Sequence, residues 1–386
     1  MFDANQLIHP TDVTYSWIFE NLHGKDKQWD QWWKEYGVTS AKNEEISGAG
    51  FLSNVSRVKV FFGDDSRVFS VILKVPTIEH ARNFKEEEAL TEFEDSLLFY
   101  HNQEIKFYLH FAKYCDALYF PKMYAYIESC KEKRIHGRII VEDVGHLGVL
   151  PNTLKGCSLK QCEEVIKTLA KFHAFTACFL NTELILSIVK IKDQPHSYEI
   201  PPSLYELEPF FNQHKDVLQK MAVKYDTPCY NAHYKFNVTP IMAHGDCWGN
   251  NMFFERRPDG SCGDKLFTLF DWQVTKIGTG LCDLSRFLCT TASYEVLEEH
   301  LDHLLELYYD TLVSSMKEKG RQAPYSLKKC KQMFRYEFPY EFHFSILVLP
   351  LLSERTNDEK IRDGVRRRLR AGYFMAEQCA KEFENF

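Results

Sequence analysis

The segment His244-Gly-Asp-Cys-Trp-Gly-Asn-Asn251, followed by the apolar run Leu266–Phe270 and then by Asp271-Trp-Gln273, decides how this chain reads. Asn251 stands five positions after Asp246, and Asp271 comes directly after a strand-like stretch. That order suits magnesium-dependent phosphoryl transfer. Asp246 orients an attacking hydroxyl and accepts its proton, while the Asn251 oxygen and the Asp271 carboxylate hold the metal on the nucleotide phosphates. Such chemistry asks little covalent work of a protein, so the placing of a few oxygen atoms carries most of the catalysis. A lone His-x-Asp would read as a structural loop. The full set, lying between strand-like segments, reads as a kinase-type catalytic loop.

The first third of the chain should then supply the phosphate-binding half. Val58, Val60 and Phe62 alternate with polar residues, Gly63-Asp-Asp-Ser66 makes a turn, and Phe69, Val71, Leu73 and Val75 alternate again: a hairpin. Lys74 lies in its second strand and by alternation shares a face with Ser70 and Ile72, opposite Val71 and Leu73. A lysine on an apolar strand either reaches solvent from an edge or meets an anion, and the wider pattern favours a nucleotide phosphate. Upstream, Ser47-Gly-Ala-Gly50 opens the hairpin; the backbone around Gly48 and Gly50 suits close approach to phosphates, and an ordinary turn explains it equally well. The stretch from about Ile78 to Cys115 lacks Pro and Gly and reads as helix, with Lys85-Glu-Glu-Glu88 as a solvated face. On it Glu104, with Tyr100, His101, Phe107 and Tyr108 at helical spacing, is the expected carboxylate partner of Lys74.

The remainder bounds the class. At 386 residues the chain is longer than one core usually holds. Its 45% hydrophobic and 26% charged content is that of a globular protein. Net charge is −7 and the isoelectric point about 6.1, so no basic footprint for nucleic acid exists. The first residues lack a basic and apolar leader, and the longest apolar run, Phe344–Leu352, is too short for a bilayer span. The 12 cysteines include no Cys-x-x-Cys pair, and are expected to be buried thiols in a reducing, cytoplasmic setting. Nothing in the sequence signals an obligate protein partner or a flexible linker. After Arg138–Val141 and Glu142-Asp-Val-Gly145 the pattern turns mainly helical, opening with a capping box at Ser158 and Gln161 and broken by a hairpin around Pro258-Asp-Gly260. The run Arg366-Arg-Arg368 with Arg370 reads as a solvated surface.

The string His244-Gly-Asp-x-Trp-x-Asn-Asn251, the later Asp271-x-Gln273 and Asp283-Leu-Ser-Arg-Phe-Leu288 resemble the ecdysteroid kinase-like proteins of the choline/aminoglycoside kinase-like group. The likeness extends over Val60–Lys74, Glu104–Tyr108, Val141–Gly145 and Ala170–His173, most of the chain. It implies an α+β, two-lobed protein-kinase-like fold. Residues 1–143 would be a small mixed lobe with an antiparallel sheet, and residues 144–386 a larger, mainly helical lobe. It implies ATP and Mg2+ between the lobes, adenine against the backbone of Glu142, Asp143 and Val144, and the hydroxyl of a small steroid-, choline- or xenobiotic-like molecule as acceptor. Protein kinases usually carry a lysine two residues after the catalytic aspartate, where this chain has Trp248. Asp271 is followed by Trp272-Gln273 rather than Phe-Gly, and no Ala-Pro-Glu follows. These departures agree with the small-molecule branch and speak against protein substrates.

Three residues read as structural rather than chemical. His244 braces the loop, His173 is a satisfied core histidine, and Asp283 is an N-cap with Arg286 at the third helical position. Two other functions compete. A catalytically silent nucleotide binder is disfavoured because Lys74, Asp246, Asn251 and Asp271 are all present. A metallohydrolase built on His244 and Asp246 would need further ligands near them.

Overall fold

A computed structural model of the chain describes residues 2–46, 52–79, 87–179, 200–224 and 228–384. They divide into two compact units, Met1–Lys113 with Phe120–His146, and Tyr114–Tyr119 with Leu147–Phe386. In the first unit, α1 (Tyr15–Leu22) and α2 (Lys27–Glu35) precede β1 (Val38–Glu45), β2 (Ser53–Phe62) and β3 (Arg67–Pro76). Then come α3 (Glu87–His110), β4 (Met123–Ile127) and β5 (Arg138–Glu142). The five strands form one antiparallel sheet in the order β1-β2-β3-β5-β4. Opposed residues of such a pair point the same way. Val58, Val60, Phe62, Val71, Leu73 and Val75 accordingly fill one face, packed against Ile18, Phe19, Leu22 and Trp29 of the two leading helices. Those helices start where their caps allow: Thr14 accepts from Trp17 N–H, and Asp26 from Gln28 and Trp29 N–H. The opposite face carries Arg57 across from Ile72, Lys59 across from Ser70, and Val55 across from Lys74.

The expected hairpin is present, as is a long helix from Glu87; residues 80–86, and with them Lys85 and Glu86 of the charged run, lie outside the described residues. Gly48 and Gly50 also lie outside them.

The second unit is mainly helical. Its helices are α4 (Leu159–Phe179), α5 (Pro202–Leu207), α6 (Lys215–Lys224), α7 (Pro228–Lys235), α8 (Leu281–Thr291) and α9 (Tyr294–Glu299). They continue as α10 (Leu301–Glu318), α11 (Leu327–Ser353) and α12 (Glu359–Glu384). The capping box forms: Gln161 N–H donates to Ser158 Oγ at 3.3 Å, and Ser158 N–H to Gln161 Oε1 at 3.1 Å. Short strands interrupt the helices. β6 (Gly148–Val149), β8 (Met252–Arg256) and β9 (Cys262–Leu269) make one sheet, while β7 (Ile241–Ala243) pairs with β10 (Lys276–Gly278). α4 packs on α10, and α8 on α11. The described cysteines are free thiols, most of them buried. Among the described residues, no helix is long and apolar enough to cross a membrane.

Two expectations need correction. Asp283 is not an N-cap: Gly280 occupies that place, and Asp283 lies inside α8 with no exposure. The Arg366–Arg368 run is not wholly solvated. Arg368 shares the inner face of α12 with Val365 and Leu369, and donates to the carbonyls of Ala292 and Thr153 at 2.9 Å each. Burial brings its guanidinium down to about 10. Asp143 is tied back to Arg57 of β2 within the first unit.

Candidate active site

In the first unit, strand alternation carries Lys74 to the face away from the Trp29 core, and α3 delivers Glu104 to it. Lys74 Nζ donates to Glu104 Oε2 at 2.6 Å, with the side chains 13% and 5% exposed. The pair is nearly dry, so each charge needs the other. One turn before Glu104, His101 meets the Ile127 carbonyl at 3.0 Å, and burial lowers its imidazole to about 4.

The segment after β5 is fixed by its own side chains. Asp143 accepts from Arg57 Nε at 2.6 Å, Ser70 Oγ at 2.5 Å and Gly145 N–H at 3.0 Å. Burial would raise this carboxyl, but the Arg57 and Ser70 hydrogen bonds hold it below the usual carboxylate range. Glu142 N–H donates to the Lys122 carbonyl at 2.8 Å, while Val144 N–H meets no acceptor among the described residues. A cavity of about 590 Å3 is lined by Arg57, Ser70, Glu142, Asp143 and Gly145, among others.

In the second unit, the loop from His244 to Asn251 follows β7. Gly245 has φ +85°, and a Cβ there would lie 2.1 Å from the Val274 carbonyl oxygen, so only glycine fits. Asp283 holds the turn from below, accepting from His244 N–H at 2.7 Å and Gly245 N–H at 2.8 Å. It also meets His173 Nε2 at 3.2 Å, and Tyr308 closes the chain at His173 Nδ1. Burial works to raise the Asp283 carboxyl, yet these donors keep it lowered. His244 uses both ring nitrogens: Nδ1 accepts from Asp246 N–H at 3.2 Å, and Nε2 donates to the Phe270 carbonyl at 3.0 Å. Both ring nitrogens are thus committed to bracing the loop.

Asp246, 23% exposed at its side chain, is gripped on both oxygens. Oδ2 accepts from Asn251 Nδ2 at 2.7 Å and Trp248 Nε1 at 3.2 Å, and Oδ1 from Arg286 Nη1 at 3.2 Å. Burial raises this carboxyl, Arg286 pulls it down and Asp271 pushes it up, leaving it raised. Because Asn251 turns its amide nitrogen to Asp246, its oxygen faces the other way. Phe270 N–H donates to the Asn251 carbonyl at 3.0 Å, continuing the β8–β9 ladder and bringing Asp271 to the same end of the hairpin. Asp271 is left-handed, at φ +66° and ψ +62°, a conformation aspartate tolerates better than most residues. Gln273 Nε2 reaches its Oδ2 at 3.3 Å. The amide oxygen of Asn251 and the carboxylate of Asp271 are hard oxygen donors of the kind Mg2+ takes, so the residues fit that ion.

The structure thus brings Lys74 to Glu104, and Asp246 and Asn251 to the hairpin end that bears Asp271. Sequence reading missed Arg286, Glu341 and Lys276. Arg286 Nε donates to Glu341, which also accepts from Lys276 Nζ at 3.3 Å. For Arg286 and Glu341 the available signal was a buried-looking charge on each of two helical patterns, and Lys276 opens the short strand β10.

A protein of Caenorhabditis elegans named uncharacterized oxidoreductase dhs-27 is 21% identical over 391 residues, covering 95% of this chain and 46% of that protein. The chain therefore spans about half the length of that curated relative. Among solved structures, Plasmodium vivax ethanolamine kinase is 13% identical, with 86% of this chain and 82% of that one covered and a TM-score of 0.41. A GDP and kanamycin complex of an aminoglycoside phosphotransferase is 13% identical, with 92% and 97% covered and a TM-score of 0.45. The model of the ecdysteroid kinase-like family matches residues 47–320, a span holding Lys74, Glu104, Asp246, Asn251 and Asp271. A match over that much of the chain makes this protein a member of the ecdysteroid kinase-like family.

Proposed function

We infer that the chain transfers the γ-phosphoryl group of ATP to a hydroxyl of a small organic molecule, steroid-, choline- or xenobiotic-like. The observation that carries this reading is the Asp246–Asn251 hydrogen bond at 2.7 Å, beside Asp271 at the end of one hairpin. Family membership supports the kinase-like class. The oxidoreductase in the relative's name belongs to a protein about twice as long.

In this reading Asn251 and Asp271 hold Mg2+, which supplies positive charge to the nucleotide phosphates. Lys74, kept extended by Glu104, takes phosphate oxygens, with the backbone around Gly48 and Gly50 as a second contact. The backbone of Glu142–Val144 meets the adenine, with Val144 N–H as the donor still to be used. Asp246 orients the acceptor hydroxyl and takes its proton late, as a loose transition state requires. The raised Asp246 carboxyl suits a proton acceptor better than an ordinary surface aspartate would.

The test is transfer of label from γ-labelled ATP to a library of small alcohols, with and without Mg2+, run beside Asp246→Asn. Labelled product that needs both Mg2+ and Asp246 supports the reading; nucleotide binding without any transfer across the library counts against it.

A further inference from the structure

Arg286 lies on α8 one turn after Asp283, in a buried cluster of charge that the mechanism above does not use. Its Cζ sits 3.7 Å from the ring centroid of Phe344, so the guanidinium stacks on that ring. Nε donates to Glu341, which is fully buried and also holds Lys276 Nζ at 3.3 Å. Trp248 meets the same Phe344 edge to face at 5.5 Å. Arg286 is thus fixed by an anion on one side and an aromatic plate on its face, and only then reaches Asp246.

A carboxylate offers about four acceptor positions, two on each oxygen. On Asp246, Asn251 and Trp248 fill Oδ2, and Arg286 takes one position on Oδ1. Among the described residues, no second donor reaches Oδ1. The place two residues after Asp246 is Trp248, so the cation beside this carboxylate comes from α8 instead.

We propose that Arg286 is a positioning residue for phosphoryl transfer: anchored by Glu341 and Phe344, it fixes the plane of the Asp246 carboxylate and leaves Oδ1 as the oxygen that receives the acceptor's proton. The step balances. As the acceptor oxygen bonds to the γ-phosphorus, the bond from phosphorus to the β–γ bridging oxygen breaks, its electron pair leaving on ADP, and the hydroxyl proton passes to Oδ1. Misplacing a reacting group by a fraction of an ångström costs rate without costing nucleotide affinity. The inference rests on the phosphotransferase reading, and its test separates the two.

The decisive variant is Arg286→Lys, which keeps the charge but cannot span Glu341 and Asp246 with one fork. Arg286→Met removes the guanidinium and leaves the buried Glu341 with Lys276 as its compensating cation, which guards against misfolding from an uncompensated charge. The probes are MgATP affinity by titration with a fluorescent ATP analogue, thermal melting, and ADP release with water and with the alcohol library as acceptors. Arg286→Lys is expected to melt near wild type, to bind MgATP within about twofold, and to lose roughly 10- to 100-fold in kcat at unchanged KM. Methylguanidinium added to Arg286→Ala should restore part of the lost rate. A kcat within about twofold of wild type in Arg286→Lys, or a loss confined to the KM for MgATP, would overturn the assignment of Arg286 alone. Failure of the wild-type chain to release ADP under every acceptor would overturn the phosphotransferase reading, and this inference with it.

Discussion

Lys74 and Glu104 stand 30 residues apart in sequence and 2.6 Å apart in space, a nearly dry ion pair joining β3 to α3. If the lysine serves the nucleotide and the glutamate serves the lysine, removing either should undo the same interaction. Lys74→Ala and Glu104→Ala are each expected to lower kcat/KM for MgATP. The double variant should lose clearly less than the product of the two single losses. Steady-state ADP release across the four proteins measures this; independent, multiplicative losses would assign the two residues to separate tasks.

Asp246→Asn keeps the shape and the hydrogen bonds to one oxygen, turns its amide nitrogen towards the donors on the other, and gives up the proton acceptor. Such a change typically costs about 100- to 10,000-fold in rate. MgATP affinity, measured by titration, should stay near wild type while single-turnover transfer collapses. Lost nucleotide affinity would instead place Asp246 in the metal site or the fold.

At Asp271, asparagine tolerates the left-handed backbone about as well as aspartate does, so Asp271→Asn isolates charge from strain. It should melt close to wild type, require more Mg2+ for half-maximal rate, and turn over at least about 100-fold more slowly. Alanine in the same backbone adds a strain of roughly 1–2 kcal/mol, visible in the melt rather than in the Mg2+ titration. Turnover and Mg2+ dependence unchanged in the asparagine variant would remove Asp271 from the metal.

The buried Glu337 on α11 gives a pH signature of stability. Burial raises its carboxyl from 4.5 to about 8, against the opposing pull of Thr279, which hydrogen-bonds to Oε1. Its Oε2 has no hydrogen-bond partner, which an ionised carboxylate would tolerate poorly. The folded state therefore holds a proton that the unfolded chain releases above 4.5. Where the native state binds more protons, stability falls as pH rises. The contribution is complete below 4.5 and disappears progressively as pH climbs to about 8. Glu337→Gln cannot ionise, so urea melts should show the variant gaining on wild type as pH goes from 5 to 8. A difference between the two proteins that stays flat across that range would contradict a protonated Glu337.

Those four tests draw on residues of unequal legibility. The hairpin of Val58–Val75 and the Asp246, Asn251 and Asp271 set were readable because period-two alternation and fixed spacing are local properties of a chain. Glu104 was readable as soon as Lys74 required a carboxylate on the next helix. Asp283 was not. An aspartate ahead of Leu284, Phe287 and Leu288 looks like a cap, and its real partners are backbone N–H groups about 40 positions upstream, which leave no mark on side-chain pattern. Arg368 fell to the same blindness. Four arginines in five residues resemble solvated charge, and only the packing of α12 shows that one of them turns inward to two carbonyls. Arg286 and Glu341 meet across two helices 55 residues apart, a relation that no window on one helix can display.

Asp283 has one more consequence. Its two oxygens accept the amide protons of His244 and Gly245, so those protons sit behind a carboxylate that belongs to α8. In heavy water they can exchange only when the loop lifts off that helix, and exchange rates at these two positions report the free energy of this local opening. A single amide-resolved spectrum would therefore show how firmly the loop is seated, before any substrate is known and without a turnover being counted.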